Sequence, residues 1–423
     1  MGDPEFSKRI IEMILSGEIT SRDKLQAVKV KLSKEFKLNE VPQNSSILEH
    51  VSEDDLEIVR PFLVKKPVRT ISGVAVVAVM TSPHPCPHGK CSYCPGGTES
   101  PQSYTGKEPA ARRASRNEFD PFLQVTDRIT QLEAIGHDTD KIDLIIMGGT
   151  FTSREPEYQE WFVKRCFDGM NGKESNTIEE AQKINETSDH RCVGMTVETR
   201  PDVFTKEQIG NALRLGATRV ELGVQILDDN VLKAVERGHG IKEVKRATKD
   251  SKDAGLKVCY HIMPGLPGTD PDSDLKSFKE MFDNPEYRPD MLKIYTTLVI
   301  EGTKLYDMWK AGEYRPYDEA TATKLIADMK ENVPEYVRIQ RIQRDIPAPQ
   351  IAAGILKSNV REMVQHELKK RGKECRCIRC REAGHRSVSL DDPAKLETRT
   401  TEYEASSGRE FFISMEYDDC IAG

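Results

Sequence analysis

The sequence lacks any apolar run as long as a membrane-spanning helix, and its first residues contain no apolar signal core. A span needs roughly 20 such residues, so we expect no membrane protein and predict a cytoplasmic chain. It also lacks repeats of fixed period and long low-complexity tracts, which excludes solenoids and arrays. Residues 1–6 resemble the remnant of an expression vector more than a native start.

What is present is typical of a globular protein: 423 residues, of which 37% are hydrophobic and 31% charged. The net charge is -7, but basic residues are concentrated in two places. Residues 335–386 hold 13 Lys and Arg against 6 Asp and Glu, and residues 20–37 hold 6 against 2. Such local basic surfaces suit phosphate backbones, although ordinary solvated helix faces would look the same.

The pattern of apolar residues divides the chain into four parts after the remnant. Residues 7–69 predict a helical module, with Leu25, Val28, Leu32 and Phe36 on one face. Residues 70–320 alternate short apolar runs with amphipathic helical stretches, and residues 321–386 predict basic helices. A strand-like pattern begins in residues 387–423. The predicted strands are 73–80, 142–147, 193–197, 219–225, 258–263 and 291–299.

Six strands alternating with helices predict an α/β fold with a parallel sheet, and their spacing favours a partial (β/α)6 barrel over a doubly wound sheet. Functional groups of such barrels cluster at the carboxyl ends of the strands. Here those ends carry a cysteine-rich loop, Gly148 to Thr150, Glu198 to Arg200 and Gln225. We therefore expect these groups to face one cavity.

Six of the ten cysteines form two tight triplets, which indicates metal binding rather than a disulfide framework. Cys86, Cys91 and Cys94 lie in a loop rich in proline and glycine after the first strand. Three thiolates can hold a 4Fe-4S cluster and leave one iron open for S-adenosylmethionine (SAM). The alternative is a structural zinc site with His88 as its fourth ligand.

This loop resembles that of the radical SAM superfamily, with Tyr93 in the place of the usual aromatic residue. The common spacing is C-x3-C-x2-C, whereas this chain has C-x4-C-x2-C, as in archaeal relatives of the catalytic subunit of Elongator. Similarity to that subunit extends to about residue 390. Its most family-like stretches are 103–106, 110–114, 147–151, 198–202, 221–225 and 344–347.

The resemblance implies a SAM site. Gly148, Gly149 and Thr150 occupy the place of the glycine-rich SAM motif. Glu198 and Arg200 would hold the ribose and the carboxylate, unless they form an ion pair that only closes the barrel rim. Gln225 would bind the adenosyl part.

We predict a catalytic position for Lys293, a charge within an apolar strand. The alternative is that its side chain reaches to the outer surface. Family members usually have proline and arginine where this chain has Thr296 and Glu301, so no role is assigned to Glu301.

The second triplet, Cys375, Cys377 and Cys380, predicts a structural Zn²⁺ site. Its fourth ligand comes from elsewhere in the chain, and His385 and His366 are both candidates. Such a zinc would pin the preceding basic helix to the barrel, so we expect a structural role and no catalytic one.

The resemblance implies a tRNA-modifying enzyme that builds a carboxymethyl group on carbon 5 of the wobble uridine, position 34, from acetyl-CoA. In that family a C-terminal acetyltransferase-like domain handles acetyl-CoA. Residues 387–423 look like the beginning of that domain, and they contain no glycine loop for the CoA pyrophosphate. We therefore expect a truncated chain that binds SAM and tRNA without completing the reaction, with Elongator-type subunits as possible partners.

An anticodon stem-loop exposes unpaired bases between phosphates that basic side chains can bind. A radical SAM enzyme for a small metabolite is the first alternative, and it would have no use for basic flanks. A non-enzymatic zinc-dependent RNA-binding module is the second. The residues that we assign to tRNA are Lys24, Lys31, Arg112, Arg113, Arg371, Arg376 and Arg379.

Overall fold

The computed structural model describes residues 3–38, 40–64, 70–97 and 99–423. Residues 1 and 2 of the predicted vector remnant and residues 65–69 of the predicted helical module lie outside the described residues. Among the described residues, no helix is both long and apolar enough to cross a membrane. The helices are α1 Pro4–Leu15, α2 Arg22–Glu35, α3 Asn44–Leu48, α4 Glu53–Leu63, α5 Pro109–Arg116, α6 Pro121–Ala134, α7 Pro156–Asn171, α8 Ile178–Asn185, α9 Lys206–Arg214, α10 Asp229–Ala234, α11 Ile241–Asp253, α12 Pro271–Asp283, α13 Lys304–Lys310, α14 Glu319–Glu331, α15 Val360–Lys370, α16 Ile378–Arg381 and α17 Ala383–Arg386. The strands are β1 Ala75–Met80, β2 Lys141–Met147, β3 Arg191–Thr199, β4 Arg219–Gln225, β5 Lys257–Ile262, β6 Met291–Ile294, β7 Val299–Ile300, β8 Arg338–Ile342, β9 Ile351–Ala353, β10 Leu396–Ala405, β11 Gly408–Tyr417 and β12 Cys420–Ile421.

Helices α1 to α4 pack around a small core of their own. Leu25 and Leu32 are buried in it, as the helical periodicity predicts, because residues seven apart lie on one face of a helix. Phe6 is fully buried and packs edge-on against Phe36, with the ring centroids 5.8 Å apart. The hydrophobic core therefore includes Phe6, a residue of the predicted vector remnant.

The centre of the molecule is a seven-stranded sheet in the order β1-β2-β3-β4-β5-β6-β8. Every neighbouring pair in it is parallel. Helices cover the outer face of the sheet, and the strands are rich in apolar residues because that face is buried. The buried side chains of the strands and helices form the main core. The sheet curls into a half-barrel, which confirms the predicted α/β fold and all six predicted strands.

The seventh strand, β8, lies within the segment for which only basic helices were predicted. It pairs with β6 at the edge of the sheet. Its sequence, Arg-Ile-Gln-Arg-Ile over residues 338–342, has only two apolar residues, spaced three apart, which resembles a fragment of a polar helix. The sixth predicted run was also too long, because β6 ends at Ile294 and the next apolar pair, β7, joins β9 in a separate ribbon.

The last strands, β10, β11 and β12, form an antiparallel sheet that contacts the rest of the chain through aromatic and charged side chains. The rings of Tyr336 and Tyr403 stack with their centroids 3.8 Å apart. The buried Arg381, from the second cysteine segment, pairs with Glu416 on β11 at 2.5 Å. That this sheet begins an acetyltransferase-like domain stays a prediction.

Candidate active site at the carboxyl ends of the strands

The loop after β1 places Cys86, Cys91 and Cys94 at the carboxyl end of the half-barrel. Backbone and side-chain donors surround their sulfur atoms. The amide of Ser103 donates to the Sγ of Cys94 at 3.1 Å. The Oγ1 of Thr150 lies 3.3 Å from the Sγ of Cys86. The loop therefore presents its thiols in a polar setting that suits thiolate ligands.

The sulfur of Cys91 contacts two basic side chains. It lies 3.2 Å from the Nε2 of His88 and 3.6 Å from the Nη1 of Arg237. Burial alone would raise the pKa of this thiol, but the hydrogen bond from His88 and the charge of Arg237 outweigh burial and lower it to about 6. A thiol of this kind is a ready metal ligand.

The two triplets differ in how closely their sulfurs approach. A single zinc ion binds sulfur at about 2.3 Å and so holds its sulfurs roughly 3.8 Å apart. Cys375, Cys377 and Cys380 fit that case, because their sulfurs all lie within 4.8 Å of one another. Among the described residues Cys86, Cys91 and Cys94 form no such tight group. Their wider spread fits a multi-iron cluster better than a single ion.

Gly148 and Gly149 follow β2 in a conformation that other residues rarely adopt, with φ of +144° and +82°. A Cβ atom on Gly148 would lie 2.0 Å from the Oγ1 of Thr81, and one on Gly149 would lie 2.7 Å from the carbonyl oxygen of Gln102. Bare backbone is therefore required where this turn meets the cysteine loop.

A cavity of about 1120 Å³ runs along the inner face of the sheet from the cysteine loop. It collects most of the predicted SAM-site residues, but neither Gly148 nor Arg200 is part of its lining. Arg200 instead lies with its Nη1 3.0 Å from the Nε2 of His88 and pairs with Asp202, also at 3.0 Å. Glu198 and Arg200 thus do not form the rim ion pair that was the alternative. The residues predicted for the cluster, for SAM or for catalysis that line the cavity are Cys86, Cys91, Cys94, Gly149, Thr150, Glu198, Gln225 and Lys293.

Lys293 lies inside the cavity and not on the outer surface. It donates to the buried carboxylate of Glu221, and its Nζ lies 3.9 Å from the Oε1 of Glu198. Burial would lower the pKa of Lys293, but the charge of Glu221 outweighs burial and raises it. The ion pair with Glu221 therefore favours the charged form of the amine. Its catalytic role stays a prediction.

Glu221 also binds His261, whose Nε2 lies 2.9 Å from the Oε2 of the carboxylate. Its other oxygen, Oε1, is buried and has no hydrogen-bond partner among the described residues. Glu198 is held separately by the hydroxyl of Tyr104, which donates to its Oε2 at 2.6 Å. The two carboxylates and Lys293 form a charged cluster in the middle of the barrel.

The second triplet lies just before and within α16, whose first residue, Ile378, donates its amide to the carbonyl of Val337 beside β8 at 2.9 Å. Neither candidate for the fourth ligand joins the sulfur group. The Nε2 of His385 lies 3.4 Å from Glu382, and His366 is exposed on α15. The fully buried Lys330 instead places its Nζ 3.7 Å from the Sγ of Cys380.

The residues predicted to bind tRNA fall into three groups. Lys24, Lys31 and Arg112 are exposed. Arg113 is buried and donates to the carbonyl of Ala78 on β1 at 2.5 Å, so its guanidinium group stabilises the edge strand of the sheet. The other three belong to the C-terminal basic segment: Arg371 pairs with Asp328, Glu331 and Glu367; Arg376 pairs with Glu335, Glu374 and Asp419; and Arg379 is half-buried at the cavity edge.

Sequence reasoning assigned no role to four residues of the site: Arg237, Glu221, His261 and Tyr104. Glu221 and His261 are polar side chains within apolar strands, the same signal that singled out Lys293. Arg237 begins the run Arg-Gly-His-Gly, and a Cβ on Gly238 would lie 2.7 Å from the side chain of His88. A glycine-rich run after β4 was the available signal for this loop.

Three family profiles match the chain in succession. The ELP3 N-terminal domain matches residues 5–71. The radical SAM superfamily matches residues 82–281, and the radical SAM C-terminal domain matches residues 289–370. The profiles thus follow the helical module, the half-barrel up to α12, and the segment from β6 to α15.

Individual relatives match over almost the whole chain. A tRNA uridine(34) acetyltransferase of Methanocaldococcus infernus is 52% identical over 418 residues, which are 97% of this chain and 78% of the relative. Human Elongator complex protein 3 is 40% identical over 97% of this chain and 77% of its own length. The solved structure of the archaeal Methanocaldococcus infernus Elp3 with an N-terminal deletion matches with a TM-score of 0.74 at 50% identity, covering 82% of this chain and 76% of that one. The chain therefore belongs to the family of the tRNA uridine(34) acetyltransferases and Elongator complex protein 3, within the radical SAM superfamily.

Proposed function

We propose that this chain acts on the wobble uridine of tRNA, position 34, as a radical SAM enzyme, and that acetyl-CoA supplies the carboxymethyl group for carbon 5. The observation that carries the proposal is the meeting of three thiols, a glycine turn and a charged cluster in one cavity of about 1120 Å³. A cavity of that size can hold SAM and a nucleoside together. The choice of substrate follows from the relatives, one of which is a tRNA uridine(34) acetyltransferase.

Cys86, Cys91 and Cys94 would hold a 4Fe-4S cluster. Hydrogen bonds from Arg237 to the sulfur of Cys91 and from the amide of Ser103 to the sulfur of Cys94 would stabilise these ligands. With SAM bound, the cluster would supply a 5′-deoxyadenosyl radical. The chain's own part is to bind the cofactor, orient the substrate and keep water out.

SAM would bind between the glycine turn and the strand ends. The backbone of Gly149 and Thr150 faces the cavity beside the cluster loop. Gln225, whose Oε1 is buried and has no hydrogen-bond partner within the described part of the chain, can accept a hydrogen bond from the adenosyl part. Glu198, held by Tyr104, is placed to accept from a ribose hydroxyl. We propose that Arg200 acts indirectly, because it positions His88 against Cys91.

The second triplet would hold a Zn²⁺ ion that fixes the C-terminal segment to the sheet edge. Three sulfurs within 4.8 Å fit a tetrahedral site. The exposed Lys24, Lys31 and Arg112 would bind tRNA phosphates. In the cell we expect this activity in the cytoplasm, with Elongator-type subunits as partners.

The test is anaerobic iron and sulfide analysis, with electron paramagnetic resonance spectra of the dithionite-reduced protein with and without SAM. We expect about four irons per chain and a cluster signal that shifts when SAM is added. Zinc at both triplets and no iron after reconstitution would overturn the proposal and leave a zinc-dependent RNA-binding module.

A further inference from the structure

His261 and Lys293 form a hydrogen-bonding pair on the inner face of the half-barrel. They are register partners on the neighbouring strands β5 and β6, so their side chains project on the same side of the sheet. Both contact the same oxygen of Glu221, His261 at 2.9 Å. Both also line the cavity that begins at the cysteine loop. A ligand in that cavity would therefore meet the two together.

The carboxylate of Glu221 decides what His261 can offer. A carboxylate only accepts hydrogen bonds, so the Nε2 of His261 must carry the proton and donate. In the neutral ring the other nitrogen, Nδ1, is then an acceptor. The described residues give Nδ1 no hydrogen-bond partner, and the side chain stays 19% exposed. The ring also packs edge-on against Tyr295, at 5.5 Å between centroids, which fixes its orientation.

Lys293 offers the opposite function. Its ammonium group has three donors, and the hydrogen bond to Glu221 uses one of them. The pair thus presents an acceptor and a donor side by side. Two carboxylates, Glu198 and Glu221, lie beside the ammonium group of Lys293, so the pair itself has no excess positive charge to offer a phosphate. A neutral ligand with a matching donor and acceptor fits better.

We propose that His261 and Lys293 read the Watson–Crick edge of the target uracil, an inference that rests on the proposed function. Uracil presents the N3–H donor beside the O4 acceptor, which would pair with the Nδ1 of His261 and the ammonium of Lys293. Cytosine presents an acceptor at N3 and an amino donor at C4, so both contacts would become repulsive. Unpaired bases in RNA loops are commonly read on this edge. Sites with such fixed polar groups reject analogues that lack the matching group.

The experiment measures binding of three anticodon stem-loop RNAs to the purified chain. They differ only at the wobble position, which carries uridine, cytidine or 3-methyluridine, the last of which lacks the N3–H. We expect the uridine RNA to bind about tenfold more tightly than the other two. His261→Leu should reduce that preference to within about twofold. His261→Gln, which keeps an acceptor oxygen, should retain part of it.

The matched control is His190→Gln, just before β3, where the ring contacts the carbonyl of Thr139 instead of the cavity. It should keep the full preference. Equal binding of all three RNAs by the unaltered chain would overturn the inference and leave the proposed function standing. Binding of none of them would instead count against tRNA as the substrate. A His261→Leu chain that binds SAM more weakly but still prefers uridine would assign this side chain to SAM and overturn the inference.

Discussion

Arg237 donates hydrogen bonds from one guanidinium group to the sulfur of Cys91, at 3.6 Å, and to the carbonyl of Gly223, at 2.6 Å. The buried cation thus ties the cluster loop to the end of β4. Its charge lowers the pKa of the Cys91 thiol, together with His88 and against the effect of burial. The same charge would stabilise the reduced form of a cluster bound there.

Replacing Arg237 by leucine should therefore lower the reduction potential of the cluster, by on the order of tens of millivolts, because a hydrogen bond to a charged sulfur is lost. Potentiometric titration followed by electron paramagnetic resonance measures the shift. Arg214→Leu is the control, since Arg214 lies on the surface and pairs with Glu160. An unchanged potential in an Arg237→Leu chain that still holds its iron would contradict the assignment.

The glycine turn after β2 gives a stability prediction. Gly148→Ala should lower the free energy of unfolding by about 3 to 5 kcal/mol, because backbone strain and a steric clash with Thr81 add together. Gly172→Ala is the matched control. It also has a positive φ, +66°, but no atom of the described residues lies within 4 Å of its added Cβ, so a loss of about 1 kcal/mol is expected. Denaturant titration of both variants compares them, and equal losses would refute the clash.

Asp274 should make stability depend on pH. Burial raises its pKa from 3.8 to about 6, although Tyr317 and the amide of Gly265 donate to its Oδ2. The folded chain therefore holds this proton more tightly than the unfolded chain does. Its contribution is complete below pH about 4 and is lost as pH rises through about 6, a change of about 3 kcal/mol.

Asp274→Asn should flatten the fall in stability between pH 4 and 6, measured by denaturant titration at several pH values. Asp272→Asn serves as the control, because Asp272 is exposed at the start of the same helix, α12. If the two variants show the same pH profile as the unaltered chain, Asp274 is not the titrating group.

Removing the metal ion from the second triplet should destabilise the fold. Stripping zinc with a chelator, or replacing the fully buried Cys377 by serine, should cost several kcal/mol of stability, because metal binding is coupled to folding. Metal analysis and denaturant titration of the same samples test this. Cys192→Ser, which alters a cysteine outside both triplets, should keep the zinc. A zinc-free chain with unchanged stability would rule out the structural role.

Charge reversal should have different effects on exposed basic residues and on basic residues held in ion pairs. Lys24→Glu with Lys31→Glu should weaken tRNA binding and lower the salt slope by about 2, since both side chains are exposed. Arg376→Glu should instead destabilise the fold, because Arg376 pairs with Glu335 and Asp419. Shift assays at several salt concentrations, with unfolding curves of each variant, distinguish the two effects. Unchanged tRNA affinity at low salt in the Lys24→Glu, Lys31→Glu chain would exclude the helical module from the interface.

Local sequence patterns were enough to predict the six strands and both cysteine triplets, because these depend on periodicity and on spacing along the chain. Strand β8 was missed because two of its five residues are arginines and it forms by pairing with β6, a segment more than 40 residues earlier in the chain. The burial of Arg113 depends on the carbonyl of Ala78, 35 residues away in sequence. No local pattern encodes that contact.

The site itself was predictable in part. Each residue at a strand end could be named, because parallel strands bring their carboxyl ends together. The pairing of His261 with Lys293 needs the register of β5 against β6, and the position of Arg237 over Cys91 needs a loop conformation. Both depend on packing between distant segments, for which the sequence holds no spacing rule.

The order of strands in the main sheet follows the order of the chain from β1 to β8, with only the short β7 set aside. Each strand that leaves the ribosome can therefore add to an edge that already exists, without waiting for a later partner. The cluster loop, which follows β1, is synthesised about 240 residues before β8 completes the sheet. At about 5–20 residues per second, that leaves roughly 12 to 50 seconds in which the nascent cysteines are accessible while the barrel around them is still incomplete.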